Sequence, residues 1–103
     1  MTDTIRAALG LGSNIGDTRA NLDEALRRLS EIDGITVSAR SSDYRTPPWG
    51  PVAQDDFRNA CAVVETTLSA RELLERCLQV EREMGRVRDQ RWGPRLIDID
   101  VLV

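Results

Sequence analysis

The sequence contains no lysine and no histidine, so all fourteen of its basic residues are arginines. Without lysine the chain cannot form a Schiff base or a Walker-type phosphate loop, and without histidine it has no imidazole base. Carboxylates, arginines, hydroxyls and bound metal ions remain as the chemical groups. Arginine suits phosphate because its planar fork bonds two oxygens at once, although genome composition also explains a preference for arginine.

Cysteines and long apolar runs are scarce as well. Cys61 and Cys77 are the only cysteines, which argues against a zinc site or a disulfide scaffold, and we expect both to pack in the core. No apolar run reaches the ~20 residues of a membrane span, and the first residues do not resemble a signal peptide, which favours a cytoplasmic location. The 103 residues predict a single domain, 1–103, and the net charge of −3 argues against general nucleic-acid binding.

Apolar periodicity predicts four strands and two helices. The predicted strands cover residues 5–11, 35–40, 57–67 and 96–103, and one helix follows the first strand and another the third. Ser69 and Glu72 form a capping box that begins the second helix, and Gly85 ends it. The order β-α-β-β-α-β is typical of a ferredoxin-like α+β fold, in which two helices cover one face of a four-stranded antiparallel sheet.

The last predicted strand carries two aspartates on one face. Alternation places Ile97 and Ile99 on one side and Asp98 and Asp100 on the other. Two carboxylates ~7 Å apart repel each other unless a cation lies between them, and Mg²⁺ prefers oxygen ligands. The pair therefore predicts a magnesium site. The alternative is a charged edge strand that prevents aggregation.

The segment before that strand is strongly basic. Residues 82–95 hold five arginines against Glu83 and Asp89, a local net charge of +3. Trp92 offers a flat face for stacking, and phosphoryl transfer needs mainly positioning and charge compensation, so the segment predicts a polyphosphate site. The alternatives are a solvated loop or an RNA-contact loop. An RNA-binding sheet would show aromatic residues on its central strands, where this sequence offers only Phe57.

Two further features need explanation. Glu81 is an acid on the predicted apolar stripe of the second helix, with Leu74, Cys77 or Leu78, and Met84. It either pairs with an arginine of the basic loop or lies at the edge of the stripe. The segment 46–51 contains three prolines, which remove backbone donors and predict a stiff loop.

Five motifs together carry a resemblance that spans nearly the whole chain. They are Gly12-Ser13-Asn14, Tyr44-Arg45-Thr46-Pro47-Pro48-Trp49-Gly50-Pro51, Phe57-Arg58-Asn59-Ala60, Gly85-Arg86-Val87-Arg88 and Arg91-Trp92-Gly93-Pro94-Arg95-Leu96-Ile97-Asp98-Ile99-Asp100. In this order they resemble the 6-hydroxymethyl-7,8-dihydropterin pyrophosphokinases of folate biosynthesis. The resemblance implies transfer of pyrophosphate from ATP to the pterin hydroxymethyl group, with release of AMP and the use of two Mg²⁺ ions.

The resemblance also implies roles for individual residues. Asp98 and Asp100 match the magnesium ligands, and Arg86 and Arg95 match loop arginines that act in catalysis. The residues expected at the ATP site are Glu81, Arg88, Arg91, Trp92 and Val101. The residues expected at the pterin site are Thr46, Pro47, Pro48, Trp49, Phe57 and Asn59.

The sequence departs from the family pattern in three places. Leu96 stands where the family often has threonine, and Leu78 where some members have glutamine. Family members also continue beyond the aspartate strand, so we expect the domain to be incomplete at its carboxyl terminus. The alternatives are a truncated or inactive relative that needs the missing part or a partner, and a ferredoxin-like module that binds nucleotide or RNA.

The expected partners are small molecules. They are ATP and 6-hydroxymethyl-7,8-dihydropterin, and no nucleic acid or membrane is expected to bind. We expect the chain to act as a monomer.

Overall fold

The computed structural model describes residues 3–48, 50, 53–85 and 96–102. Within these residues the chain forms two helices and one antiparallel sheet of five strands. The elements are β1 (Ile5–Ser13), α1 (Thr18–Ser30), β2 (Ile35–Arg40), β3 (Tyr44–Thr46), β4 (Phe57–Thr66), α2 (Ala70–Glu83) and β5 (Asp98–Val101). The predicted α+β class and antiparallel sheet are confirmed, whereas the predicted count of four strands is wrong.

The additional strand is β3. It pairs antiparallel with the first residues of β4, from Tyr44 opposite Asn59 to Thr46 opposite Phe57. The sequence predicted a stiff loop from Thr46 onward because of the prolines. Pro47 follows the last paired residue, so its missing N–H group interrupts no pairing. A three-residue strand is too short to show a periodic pattern, and the prediction therefore missed it.

The hydrophobic core lies between the helices and one face of the sheet. Leu9 and Leu11 of β1 are buried, as are Ala62 and Val64 of β4 and Ile99 of β5. Both helices pack against the sheet and against each other. The helix residues in the core are Leu22, Ala25, Leu26, Leu29, Leu73, Cys77 and Val80. The alternate strand residues face the opposite side of the sheet, because successive side chains of a strand point to opposite faces.

That opposite side carries Asp98 and Asp100, and we call it the aspartate face. The strand order of the sheet is β2-β4-β1-β5, and β3 also pairs with β4. Gly10 and Gly12 of β1 are opposite Asp100 and Asp98 on β5, and Gly12 is also opposite Asn59 on β4. The central strand β1 therefore brings residues from the two ends of the sequence into one row.

Both helices begin at side-chain caps. The Asp17 carboxylate accepts a hydrogen bond from the Ala20 N–H at 3.1 Å. Ser69 and Glu72 form the predicted capping box, in which each side chain accepts from the other residue's N–H at 3.1 and 3.0 Å. These bonds lower the pKa of Glu72. Among the described residues, neither helix combines the length and the apolar composition that crossing a membrane requires.

The stripe predicted for α2 is confirmed at Cys77 and Glu81 and is wrong at Leu74. Leu74 is 45% exposed, and the buried positions are instead Leu73, Cys77, Val80 and Glu81. These positions follow the spacing i, i+4, i+7, i+8 of a single helix face. The prediction was wrong about Leu74 because two adjacent leucines fit the pattern, and only packing against the sheet selects one of them.

The two cysteines have different surroundings. Cys77 is fully buried, as predicted, and burial raises the pKa of its thiol to about 11. Cys61 was also expected in the core, but it is half-buried on the aspartate face, with its Sγ 3.6 Å from the Tyr44 hydroxyl. The prediction failed because the alternation along β4 places Ala60 and Ala62 inward and Cys61 outward.

We predict that Ser69→Ala lowers the free energy of unfolding by about 1 kcal/mol, because it removes the cap of α2 and leaves the Glu72 N–H without its acceptor. Urea unfolding measures this loss. Glu75→Ala, on the exposed side of the same helix, is the control and should change the value by less than about 0.5 kcal/mol. Equal stability of the Ser69→Ala variant and the unmutated chain would contradict the role of the cap.

Candidate functional site

Asp98 and Asp100 lie on the same face of β5. Ile99 between them is buried, whereas Asp98 is half-buried and Asp100 is exposed, so the predicted alternation is confirmed. Their Cα atoms are ~7 Å apart along the strand. Within the described residues no group of three or more histidine, cysteine or acidic side chains is arranged to hold a metal ion.

A glycine separates Asp98 from Asn59. Gly12 pairs with Asp98 on one side and with Asn59 on the other, so the three residues form one row across β5, β1 and β4. Neighbouring strands are ~4.8 Å apart, which puts the Asn59 and Asp98 backbones ~10 Å from each other. A Cβ atom on Gly12 would lie 2.9 Å from the Asn59 Oδ1 and 3.5 Å from the Phe57 ring. The Asn59 carboxamide therefore occupies the space that a side chain at Gly12 would need.

Thr46 holds that carboxamide. The Asn59 Nδ2 donates to the Thr46 Oγ1 at 2.8 Å and to the Phe57 carbonyl oxygen at 3.4 Å. Thr46 and Phe57 are directly opposite each other on β3 and β4. Three of the residues predicted at the pterin site thus form one cluster at the end of the row, and Pro47 and Pro48 follow Thr46 directly.

Two residues predicted at the nucleotide site are also described. Glu81 is only 4% exposed, and its Oε2 accepts a hydrogen bond from the Ile99 N–H at 2.7 Å. It therefore lies inside the buried stripe of α2, and the interpretation that it sits at the edge of the stripe is wrong. Val101 is half-buried at the end of β5, opposite Leu9.

The remaining predicted residues lie outside the described part of the chain. They are Trp49, Arg86, Arg88, Arg91, Trp92 and Arg95. Their roles in catalysis, nucleotide binding and pterin binding stay predictions.

Sequence reasoning missed a polar cavity of about 720 Å³ near the start of α1. The Arg58 guanidinium donates to the Thr18 hydroxyl at 3.0 Å and to the Asp43 carboxylate at 3.1 Å. Asp43 also pairs with Arg40, and Asp55 and Asp56 line the same cavity. Arg58 points away from the aspartate face, because its neighbours Phe57 and Asn59 point toward it. The periodicity of the sequence could not predict that Asp43 and Arg58 pair, because Asp43 lies just before β3 and Arg58 lies in β4.

Comparison with known proteins gives consistent results. The family model described as 7,8-dihydro-6-hydroxymethylpterin-pyrophosphokinase matches residues 8–103. A 2-amino-4-hydroxy-6-hydroxymethyldihydropteridine pyrophosphokinase of Methylorubrum extorquens is 59% identical over 94% of this chain and 61% of its own length. Proteins with the same name from Bacillus subtilis and Synechocystis are 43% and 42% identical, over 94% and 93% of this chain.

The chain spans only part of these relatives, namely 61%, 58% and 49% of their lengths. The matched part nevertheless includes the row formed by Asn59, Gly12 and Asp98, since the family model covers all three positions. Because that model matches nearly the whole chain, the chain belongs to the 7,8-dihydro-6-hydroxymethylpterin-pyrophosphokinase family.

Proposed function

We propose that this protein transfers pyrophosphate from ATP to the hydroxymethyl group of 6-hydroxymethyl-7,8-dihydropterin, with magnesium, and releases AMP in folate biosynthesis. Family membership supports the type of reaction. The observation that carries the proposal for this chain is the row of Asn59, Gly12 and Asp98. It sets a predicted pterin ligand and a predicted metal ligand at the two ends of one row, with a glycine between them.

The residues of the aspartate face suit magnesium. Asp98 and Asp100 offer carboxylate oxygens on the same side of β5, and the residues opposite them on β1 are glycines, which have no side chains of their own beside the carboxylates. Mg²⁺ in such sites is bound by one or two carboxylates, with waters and phosphate oxygens completing its shell. Asp98 and Asp100 would hold the ion, which when bound neutralises charge on the polyphosphate. The use of two ions is part of the proposal and follows from the family resemblance.

Asn59 is suited to bind the polar edge of a pterin. Because the Nδ2 group donates to Thr46 and to the Phe57 carbonyl oxygen, the Asn59 Oδ1 is the atom that would accept hydrogen bonds from N–H groups at the edge of the pterin ring. Thr46 fixes the orientation of this carboxamide through the 2.8 Å bond, and Phe57 adds an apolar ring beside it. A pterin held there would extend its hydroxymethyl group over Gly12 toward Asp98. Such positioning of the acceptor next to the polyphosphate is the main contribution that a protein makes to phosphoryl transfer.

The nucleotide part of the site completes the proposal. Val101, at the end of β5, would meet the adenine through its backbone, and Arg88, Arg91 and Trp92 would contact the nucleotide. Arg86 and Arg95 would compensate the negative charge that develops during transfer. A monomeric state and a cytoplasmic location also stay predictions.

We also infer that the sheet is ferredoxin-like with one short strand added. If β3 is set aside, the remaining elements follow the order β-α-β-β-α-β. The two strands that follow the helices in this pattern, β2 and β5, lie at opposite ends of the path β2-β4-β1-β5. This arrangement supports the inference, because each helix then connects strands that are not direct neighbours.

We predict that Asp98→Asn and Asp100→Asn each weaken magnesium-dependent ATP binding at least tenfold, which is about 1.4 kcal/mol, and abolish AMP formation. The reason is that each substitution removes one of the two anionic ligands. Calorimetric titration measures the binding, and AMP is measured in the presence of ATP, Mg²⁺ and the pterin. Asp33→Asn, in the exposed turn after α1, is the matched control. Wild-type AMP formation by either site variant would show that the metal assignment is wrong.

We predict that Gly12→Ala weakens pterin binding about tenfold, or 1.4 kcal/mol, and changes ATP binding much less. The new Cβ would meet the Asn59 Oδ1 at 2.9 Å, whereas no Asp98 atom is among its closest neighbours. Gly10→Ala is the control, because the described atoms nearest to its Cβ belong to Leu102, at an ordinary 3.5 Å. Fluorescence titration with the pterin measures both variants. If Gly12→Ala and Gly10→Ala bind the pterin equally well, Asn59 is not the ligand proposed here.

A further inference from the structure

We propose that Glu81 is a positioning residue that fixes the strand carrying the two magnesium ligands. This inference rests on the proposed function, because it assigns the residue that keeps Asp98 and Asp100 in place for it. Glu81 belongs to α2, and its carboxylate accepts the hydrogen bond of the Ile99 N–H at 2.7 Å. Ile99 is the residue between the two aspartates, so a bond at its amide restrains the backbone on both sides.

The Ile99 N–H points away from the neighbouring strand. The Leu102 N–H donates to the Ala8 carbonyl of β1 at 2.8 Å, and N–H groups point alternately to the two edges of a strand. The N–H groups of Asp98 and Asp100 therefore point toward β1, and that of Ile99 points outward. Within the described residues β5 lies at the end of the sheet path. Glu81 supplies the acceptor that a further strand would supply elsewhere.

Burial explains why a hydrogen-bond acceptor is needed at this position. Cys77 and Val80, which lie on the same face of α2, are apolar and fully buried, so packing alone would favour another apolar residue. A buried N–H group without an acceptor is costly, and so is a buried carboxylate without donors. The bond between Glu81 and Ile99 gives the buried N–H group an acceptor and gives the carboxylate a donor.

This role differs from direct contact with ATP. Glu81 is only 4% exposed and reaches β5 from the helix side, whereas Asp98 and Asp100 project to the aspartate face. The Glu81 carboxylate therefore acts through the backbone of Ile99. For this role the length of the side chain at position 81 matters, and its charge does not. Substitutions can change these two properties separately.

The test compares Glu81→Gln with Glu81→Asp in the full chain. Glutamine keeps the length and an acceptor oxygen but loses the charge. Aspartate keeps the charge but is shorter by one methylene group, ~1.5 Å, so it cannot reach the Ile99 N–H. Two quantities are measured for each variant. They are the hydrogen-exchange rate of the Ile99 amide by NMR and the Mg²⁺ affinity in the presence of ATP by calorimetry.

We expect the Gln variant to stay within threefold of the unmutated chain in both quantities. We expect the Asp variant to show Ile99 exchange at least tenfold faster and Mg²⁺ affinity at least tenfold weaker. Cys77→Ala, one turn earlier on the same buried face, is the control for general loosening of α2, and its Mg²⁺ affinity should stay within threefold.

Several results would overturn the positioning role. It is wrong if Glu81→Gln weakens the Mg²⁺ affinity tenfold, because the charge of the side chain would then matter rather than its length. This comparison is valid even if the Glu81→Asp variant does not fold. It is also wrong if Asp leaves the affinity unchanged, or if Cys77→Ala lowers it as much as Asp does. An unmutated chain that binds no Mg²⁺ with ATP contradicts the proposed function instead, and the Ile99 exchange rates still report whether the bond exists.

Discussion

The pairing of β1 with β4 on one side and β5 on the other determines the geometry of the proposed site. It places Gly12 between Asn59 and Asp98, and Gly10 between Cys61 and Asp100. Because side chains alternate along a strand, a slip of one residue in either pairing would turn one half of the site toward the helices. The register is fixed by the core, since Leu9 and Leu11 must stay buried against α1 and α2.

The two faces of the sheet therefore have different roles. The face toward the helices is apolar and provides stability, with β1 and β4 contributing buried residues along most of their lengths. The aspartate face has glycines in β1, at the positions between β4 and the two aspartates of β5. Glu81 links the two sides, because it belongs to the helix layer and bonds the backbone that carries the aspartates. The helix layer is in this way linked to the backbone that carries Asp98 and Asp100.

Sequence reasoning predicted the parts of this arrangement that depend on local chemistry. The alternation of Asp98, Ile99 and Asp100 follows from strand geometry, and the capping box of Ser69 and Glu72 follows from side chains three residues apart. The same reasoning left the position of Asn59 relative to Asp98 open. Only the pairing of three strands, distant in sequence, brings them into one row.

The predictions that failed depended on long-range packing. The strand β3 forms because its three residues pair with the edge of β4. A segment of three residues is too short to show an alternating pattern in the sequence. Leu74 and Leu73 are equivalent in a helical stripe until the sheet selects one of them, and Cys61 follows the alternation of β4 rather than its own apolar character. Glu81 accepts a hydrogen bond from the backbone amide of Ile99, and no residue type in a sequence identifies such a donor.

The most direct test of this account is to locate a bound divalent cation by paramagnetic broadening of amide NMR signals with Mn²⁺ and ATP. The account predicts that the amides of Gly10, Gly12, Asp98 and Asp100 lose intensity first, while those of α1 around Leu26 keep theirs. Broadening centred on Asp43, Asp55 and Asp56, in the polar cavity near the start of α1, would place the cation on the other side of the sheet and contradict it.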